Sequence, residues 1–153
     1  VAAADLDLGP FRPQERDRWA ELWAGYHLFY GRPSVAPELY DLAWRRLRGG
    51  PPFHGVGARI GGPEGRLVGI AHFLLHPTYL SEAPVLYLQD LFADPEARGR
   101  GVGRALIEAG TAFARSQGCA RYYWNTHETN AAARALYDRV GRNTRSMRYE
   151  VPL

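Results

Sequence analysis

Arg98-Gly99-Arg100-Gly101-Val102-Gly103-Arg104 is the stretch on which the reading of this chain turns. It follows an apolar run over 84–93 (PVLYLQDLFA) that Asp94-Pro95 closes. It opens a helix over 102–117, with Val102, Ala105, Leu106, Ala109 and Phe113 on one face and Gly118 as its stop. Glycines let a backbone approach a ligand closely and take up positive φ. A helix start presents unpaired N–H groups and the positive end of the dipole. Strand, glycine turn and helix start together form a cradle for a pyrophosphate, with Arg98, Arg100 and Arg104 adding charge. The pattern is not a P-loop, which needs a Lys: all 19 basic residues are Arg. It matches the dinucleotide-binding G-x-G-x-x-G only at Gly99 and Gly101, because Arg104 holds the third position. A glycine-rich turn at a helix start also has a purely structural reading.

Working outward, residues 6–12 read as a Pro-broken edge strand. Residues 14–29 read as a helix with Trp19, Leu22, Trp23, Tyr26 and Tyr30 at helical spacing, and 36–48 as a second helix with Pro37 in its first turn. Runs over 53–60 and 66–76 flank Gly61-Gly62-Pro63-Glu64-Gly65 and predict a β-hairpin. Residues 120–126 predict a strand, 130–140 a helix and 144–151 a last strand. The order is β-α-α-β-β-β-α-β-α-β, which predicts a mixed α/β sheet with crossovers.

The chain has 153 residues, a length that predicts one domain spanning 1–153. Hydrophobic residues are 46% and charged residues 23%, which excludes a disordered or fibrous chain. No apolar run reaches the roughly 18 residues of a membrane span, and the start, VAAADLDLGPF, lacks the pattern of a secretory signal. A single cysteine, Cys119, excludes an internal disulfide and a multi-Cys zinc site, and points to a reducing, cytoplasmic compartment. His27, His54, His72, His76 and His127 show no metal-ligand spacing, so no metal is expected. A net charge of +3 is too small to argue for nucleic acid, and no helix carries a basic face beyond the cradle.

Three linked motifs then resemble the GNAT superfamily of N-acetyltransferases. Arg98-Gly99-Arg100-Gly101-Val102-Gly103 reads as its [RQ]-x-x-G-x-[GA] acetyl-CoA motif. Leu91 to Ala97 looks like the fourth strand and its exit. Asn130-Ala131-Ala132-Ala133-Arg134-Ala135-Leu136-Tyr137 resembles its N-x-x-A-x-x-x-Y helix. The resemblance is strongest over 66–141. It implies a mostly antiparallel mixed sheet flanked by helices, with splayed central strands that admit acetyl-CoA as co-substrate. Phe92 and Ala93 would pair with the pantetheine amides, residues 99–104 would hold the pyrophosphate, and Asn130 and Ala133 would face the pantetheine from the other wall. Tyr137 would protonate the leaving thiolate as general acid. From spacing alone, Tyr137 reads as a core aromatic.

The base is less well marked. Asp90 is the best candidate; burial beside Tyr87, Leu88 and Leu91 would raise its pKa. Its plain reading is a cap or an ion-pair partner. Tyr30, His72 and Trp124 are the candidates for the acceptor pocket, each with a core-packing alternative, and Glu128 is a minor one. Trp19, Trp23, Tyr26, Tyr40 and Trp44 offer cation–π surface or simply a core stripe. Quoted together, GIAHF, YYWNT and TNAAARALYDRVG resemble a branch acting on polyamines, amino acids including D-forms, or histone-type Lys tails. After Gly141, Arg142-Asn143-Thr144 departs from the common aromatic. The favoured expectation is transfer of acetyl from acetyl-CoA to a primary amine of a small molecule, polyamine or amino acid. Alternatives are a protein Lys or N-terminal acetyltransferase and a non-catalytic acyl-CoA-binding module. The edge at 144–151 offers a route to a homodimer.

Overall fold

The computed structural model describes residues 5–32 and 34–153. Its strands are β1 (Leu6–Gly9), β2 (Phe53–Ile60), β3 (Arg66–Thr78), β4 (Ser81–Ala93) and β5 (Arg121–Trp124). Its helices are α1 (Arg16–Phe29), α2 (Pro37–Arg48), α3 (Val102–Ser116) and α4 (Ala131–Val140). Short 3-10 turns, Pro13–Glu15 and Pro95–Ala97, lead into α1 and towards α3. The sheet runs β1-β2-β3-β4-β5, antiparallel except for the parallel β4–β5 pair.

Each face of the sheet buries one helical layer. Val56, Ala58, Ala71, Phe73, Leu86 and Leu88 meet Val102, Leu106 and Ile107 of α3. On the other face Leu67 and Ile70 meet Phe11, Trp19, Leu22, Trp23 and Tyr26, with Tyr40, Trp44 and Leu47 of α2 packed alongside. Each fully buried Leu or Ile contributes roughly 1.5–3 kcal/mol. α3 lies close because Gly69 faces it: a Cβ there would come within 2.5 Å of Val102 Cγ1. Tryptophans read as a helical stripe are therefore core. Trp19 is wholly buried, stacked on Trp23 with ring centroids 5.3 Å apart.

A buried ion pair fixes the entry to α1. Arg59 on β2 meets Glu15 through Nε at 2.5 Å and Nη2 at 2.7 Å, and also reaches Asp7 and the Pro10 carbonyl. Arg12 N donates to Glu15 Oε2 at 2.8 Å. Thus the edge strand, its neighbour and the first helix share one clasp.

Two expectations need correcting. β3 and β4 are longer than read, extending to Thr78 and Ser81, because the polar residues near the tip still pair across the hairpin. The last strand over 144–151 is not formed. The segment is exposed throughout and pairs with no strand among the described residues. Asn143 Oδ1 accepts from Arg145 N at 2.8 Å and Arg145 takes φ 61°, a local turn in place of the start of a strand.

Candidate active site

The site begins with a bulge. His72 pairs with Asp90 and Phe73 with Leu88, so Gln89 has no partner on β3. A bulge bends its strand and re-aims the following side chains. The β4–β5 ladder ends at this point, at Leu88 and Trp124. From Gln89 to Ala93 the β5-facing edge of β4 has no strand partner among the described residues. The expected splay is this divergence, and it leaves a cleft with main-chain donors and acceptors along one wall.

The floor of the cleft leads to the glycine loop. Asp94 Oδ1 accepts from Glu96 N at 3.0 Å, and Arg18 binds both the Asp94 carboxylate and the Leu67 carbonyl, so α1 holds the strand exit in place. Gly99 and Gly101 have φ of 78° and 75°, and no atom lies within 4 Å of where a Cβ would stand. Glycine is needed there for conformation, not for space. The first α3 hydrogen bond is Ala105 N to Gly101 O at 2.9 Å. The amides of Gly99 to Arg104 find no acceptor among the described residues. Six donors at a positive helix end suit a pyrophosphate. Val102 is buried and offers only its backbone. Arg104 is paired with Glu108 at 2.8 Å, whereas Arg98 and Arg100 form no ion pair among the described residues. A groove of about 360 Å³, lined by Leu22, Gly25, Phe92, Pro95 and Arg98 among others, joins this loop to α1. The residues present thus fit acetyl-CoA.

Asn130, Ala133 and Tyr137 fall at i, i+3 and i+7 and share one face of α4. Tyr137 lies against Trp124 with centroids 5.4 Å apart. Burial pushes its phenol up to about 12, so it carries its proton at neutral pH. Across the cleft stand Tyr26 and Tyr30, 4.9 Å apart, and Tyr30 reaches His127 of the β5–α4 loop at 5.7 Å. Burial raises the Tyr30 phenol, and the Asn130 amide eases that shift. The structure therefore brings together Tyr30, Asn130 and Tyr137.

Asp90 and His72 are close to each other but belong to a different environment from the one expected. The bulge turns Asp90 towards α1, away from the surroundings expected for it. Trp19 Nε1 donates to His72 Nε2 at 2.9 Å, which leaves His72 Nδ1 to donate to Asp90 Oδ2 at 2.8 Å. Trp23 Nε1 donates to the same oxygen at 3.2 Å. Burial alone would raise the Asp90 pKa. The hydrogen bonds from His72, Tyr26 and Trp23 outweigh it and hold the carboxyl below its ordinary range, the reverse of the expected shift. His72 is a buried member of this network. Trp124 packs between Tyr122 and Tyr137, on the α3–α4 side. Glu128 is exposed, its carbonyl capped by Arg134.

Sequence reasoning passed over Gln89, Arg18 and His27 as participants, and it read Trp23 as an acceptor-facing or core aromatic rather than as a donor to Asp90. His27 is buried beside Trp23 and Tyr26, both its ring nitrogens lack partners among the described residues, and burial keeps it neutral. A polar Gln-Asp pair ending an apolar run was the available signal for the bulge.

A splayed mixed sheet, an amide cradle at α3 and a protonated tyrosine on α4 define an acyl-CoA-dependent acyltransferase. Residues 16–141 match the acetyltransferase (GNAT) family, and the chain belongs to it. It is an acetyl-CoA-dependent N-acetyltransferase. It is 32% identical to a D-amino-acid N-acetyltransferase of Saccharomyces cerevisiae, over 90% of this chain and 85% of that protein. It is 33% identical to the N-alpha-acetyltransferase RimI of Mycobacterium tuberculosis, over 89% of this chain and 77% of that protein. In fold it is similar to an aminoglycoside acetyltransferase from an uncultured soil metagenomic sample, solved with trehalose, with a TM-score of 0.82, 18% identity, and coverage of 99% of this chain and 98% of that one. No helix among the described residues is long and apolar enough to cross a membrane.

Proposed function

We propose that this enzyme acetylates the primary amine of a small acceptor, and that the acceptor is an amino acid rather than a polyamine. The observation that carries this reading is Arg32. Its N–H donates to the His27 carbonyl at 2.8 Å, and its guanidinium lies 5.8 Å from the Tyr26 ring centroid, beside the Tyr26–Tyr30 wall. It forms no ion pair among the described residues. A free cation at the rim attracts a carboxylate and repels a polycation. The name of the yeast relative agrees with this choice.

When bound, acetyl-CoA supplies a thioester whose acetyl group forms a C–N bond with the amine as the C–S bond breaks. The amides of Gly99 to Arg104 hold the pyrophosphate, with Arg98 and Arg100 adding charge. The open edge of β4 at Phe92 and Ala93 pairs with the pantetheine, and an N–H there polarises the thioester carbonyl. Asn130 and Ala133 close the other wall. The Tyr137 hydroxyl gives its proton to the departing sulfur and regains one through solvent as the amine loses its own. Asp90, with a depressed pKa, is a weak proton acceptor. Its role is to fix His72 and to place a negative charge behind the two tyrosines.

The test is thiol release from acetyl-CoA across L- and D-amino acids, polyamines, aminoglycosides and peptides. Turnover confined to carboxylate-bearing amines is expected. Preference for polyamines would overturn the acceptor assignment, and preference for peptides would favour a protein acceptor.

A further inference from the structure

The sheet gives the cleft a further wall that the reaction described above does not use. Leu86 and Leu88 of β4 pack towards α3, so Tyr87 between them points to the α1 side of the sheet. Tyr122 and Trp124 of β5 also pack towards α3, and Tyr123 therefore shares the side of Tyr87. The two tyrosines lie outside the core that α1 and α2 cover. They pair in register, one rung before the β4–β5 ladder ends at Leu88 and Trp124. Just beyond, where the strands part, Gln89 and Asn125 are exposed.

The Tyr87 ring is fixed by a chain of contacts. It stacks on Tyr123 with centroids 4.9 Å apart and 28° between the planes. Arg121 lies over the Tyr123 ring at 5.6 Å. The Pro77 carbonyl, 2.8 Å from His76 Nδ1, can only accept, so Nδ1 carries the proton and Nε2 accepts from Tyr123 Oη at 3.0 Å. Asn125 Nδ2 donates to Tyr87 Oη at 3.5 Å, which turns the phenol end towards the parting strands. His127, two residues on, meets Tyr30 at 5.7 Å, so one loop joins Tyr87 to the Tyr26–Tyr30 wall. A ring ordered in advance loses little freedom when a ligand stacks on it.

Given an amino-acid acceptor, the reading proposed above, we infer that Tyr87 selects the acceptor's side chain and that this side chain is aromatic. Acetyl-CoA held at 99–104 and along Ala93 and Phe92 runs against the direction of β4, so its acetyl end points to Gln89 and Tyr87. An amine attacking there has its own side chain beside the fixed ring, where a second ring stacks with a gain beyond simple burial. A lysine or arginine side chain meets Arg121 instead, and none of Tyr87, Tyr123, His76, Gln89 and Asn125 is a carboxylate to pair with it. Small side chains leave the ring uncovered.

The test is kcat/KM for phenylalanine, tyrosine, alanine and lysine, in L- and D-forms, with the parent, Tyr87→Leu and Tyr87→Phe. Calorimetric binding of acetyl-CoA confirms that each variant is folded. The parent should favour phenylalanine over alanine by about tenfold or more, one stacked pair with its burial. Tyr87→Phe should keep that preference, and Tyr87→Leu, which keeps apolar bulk but loses the ring, should bring it within about threefold of unity. Amino acids turned over by the parent with no aromatic preference would overturn this inference and leave the amino-acid reading standing. So would a preference that survives in Tyr87→Leu. Turnover of polyamines or peptides with no amino acid accepted would overturn both.

Discussion

His72 Nδ1 lies 2.8 Å from Asp90 Oδ2, and the Trp19 indole fixes the opposite nitrogen of the ring. This pairing sets the imidazole tautomer and binds α1 to the strand pair that opens the cleft. Replacing Asp90 with Asn removes the charge that both Trp23 and His72 address. The cost should be about 2 kcal/mol, seen as a melting temperature lower by roughly 6 °C. Because the folded carboxyl is held below its ordinary value of 3.8, its stabilisation is present above that value and lost as pH falls through the lowered one. Acid unfolding of the parent should therefore contain a component that the Asn variant lacks. Equal melting temperatures would contradict the assignment.

Glu15→Gln should be the most destabilising single change at the clasp. It replaces one acceptor oxygen by an NH2 donor and leaves the buried Arg59 with Asp7 as its one carboxylate partner, at a cost of about 3–5 kcal/mol. Glu15 is raised by burial but held low by Arg59, so its contribution also fades as pH falls through its folded value. Arg59→Met together with Glu15→Leu should recover much of the loss in a denaturant titration.

Gly101→Ala forces a side chain into the left-handed region, where an L-residue costs roughly 1–2 kcal/mol. The strain falls on the amide cradle, so the dissociation constant for acetyl-CoA should rise about tenfold. An Ala variant that binds as well as the parent by calorimetry would place the pyrophosphate elsewhere.

Arg32→Gln should raise KM for amino acids by roughly tenfold, one charge-assisted contact being worth about 1.5 kcal/mol. KM for uncharged amines should not change. A uniform loss across acceptors would make Arg32 a structural residue.

What was legible came from local chemistry. Gly99 and Gly101 announce positive φ, Asn130 and Tyr137 stand at helical spacing, and the tryptophans of α1 show their stripe. The splay could be named only through the resemblance, because it depends on an extra residue, Gln89, whose lack of a partner is a property of the β3–β4 register. The same bulge decides which way Asp90 turns, so the sign of its pKa shift could not be read from its neighbours in sequence. Met147, Tyr149 and Val151 do alternate as a strand should, but alternation does not supply a pairing partner, and the segment pairs with no strand among the described residues.

The central claim is that Tyr137 supplies the proton for the leaving sulfur. It is tested by comparing Tyr137→Phe with the parent in two assays, steady-state thiol release and equilibrium binding of acetyl-CoA. The hydroxyl is the only group the substitution removes, and general acids of this kind contribute about a hundredfold to ten-thousandfold. The account predicts a kcat lower by at least a hundredfold with a dissociation constant within about threefold of the parent. An unchanged kcat, or equal losses in turnover and binding, would contradict it.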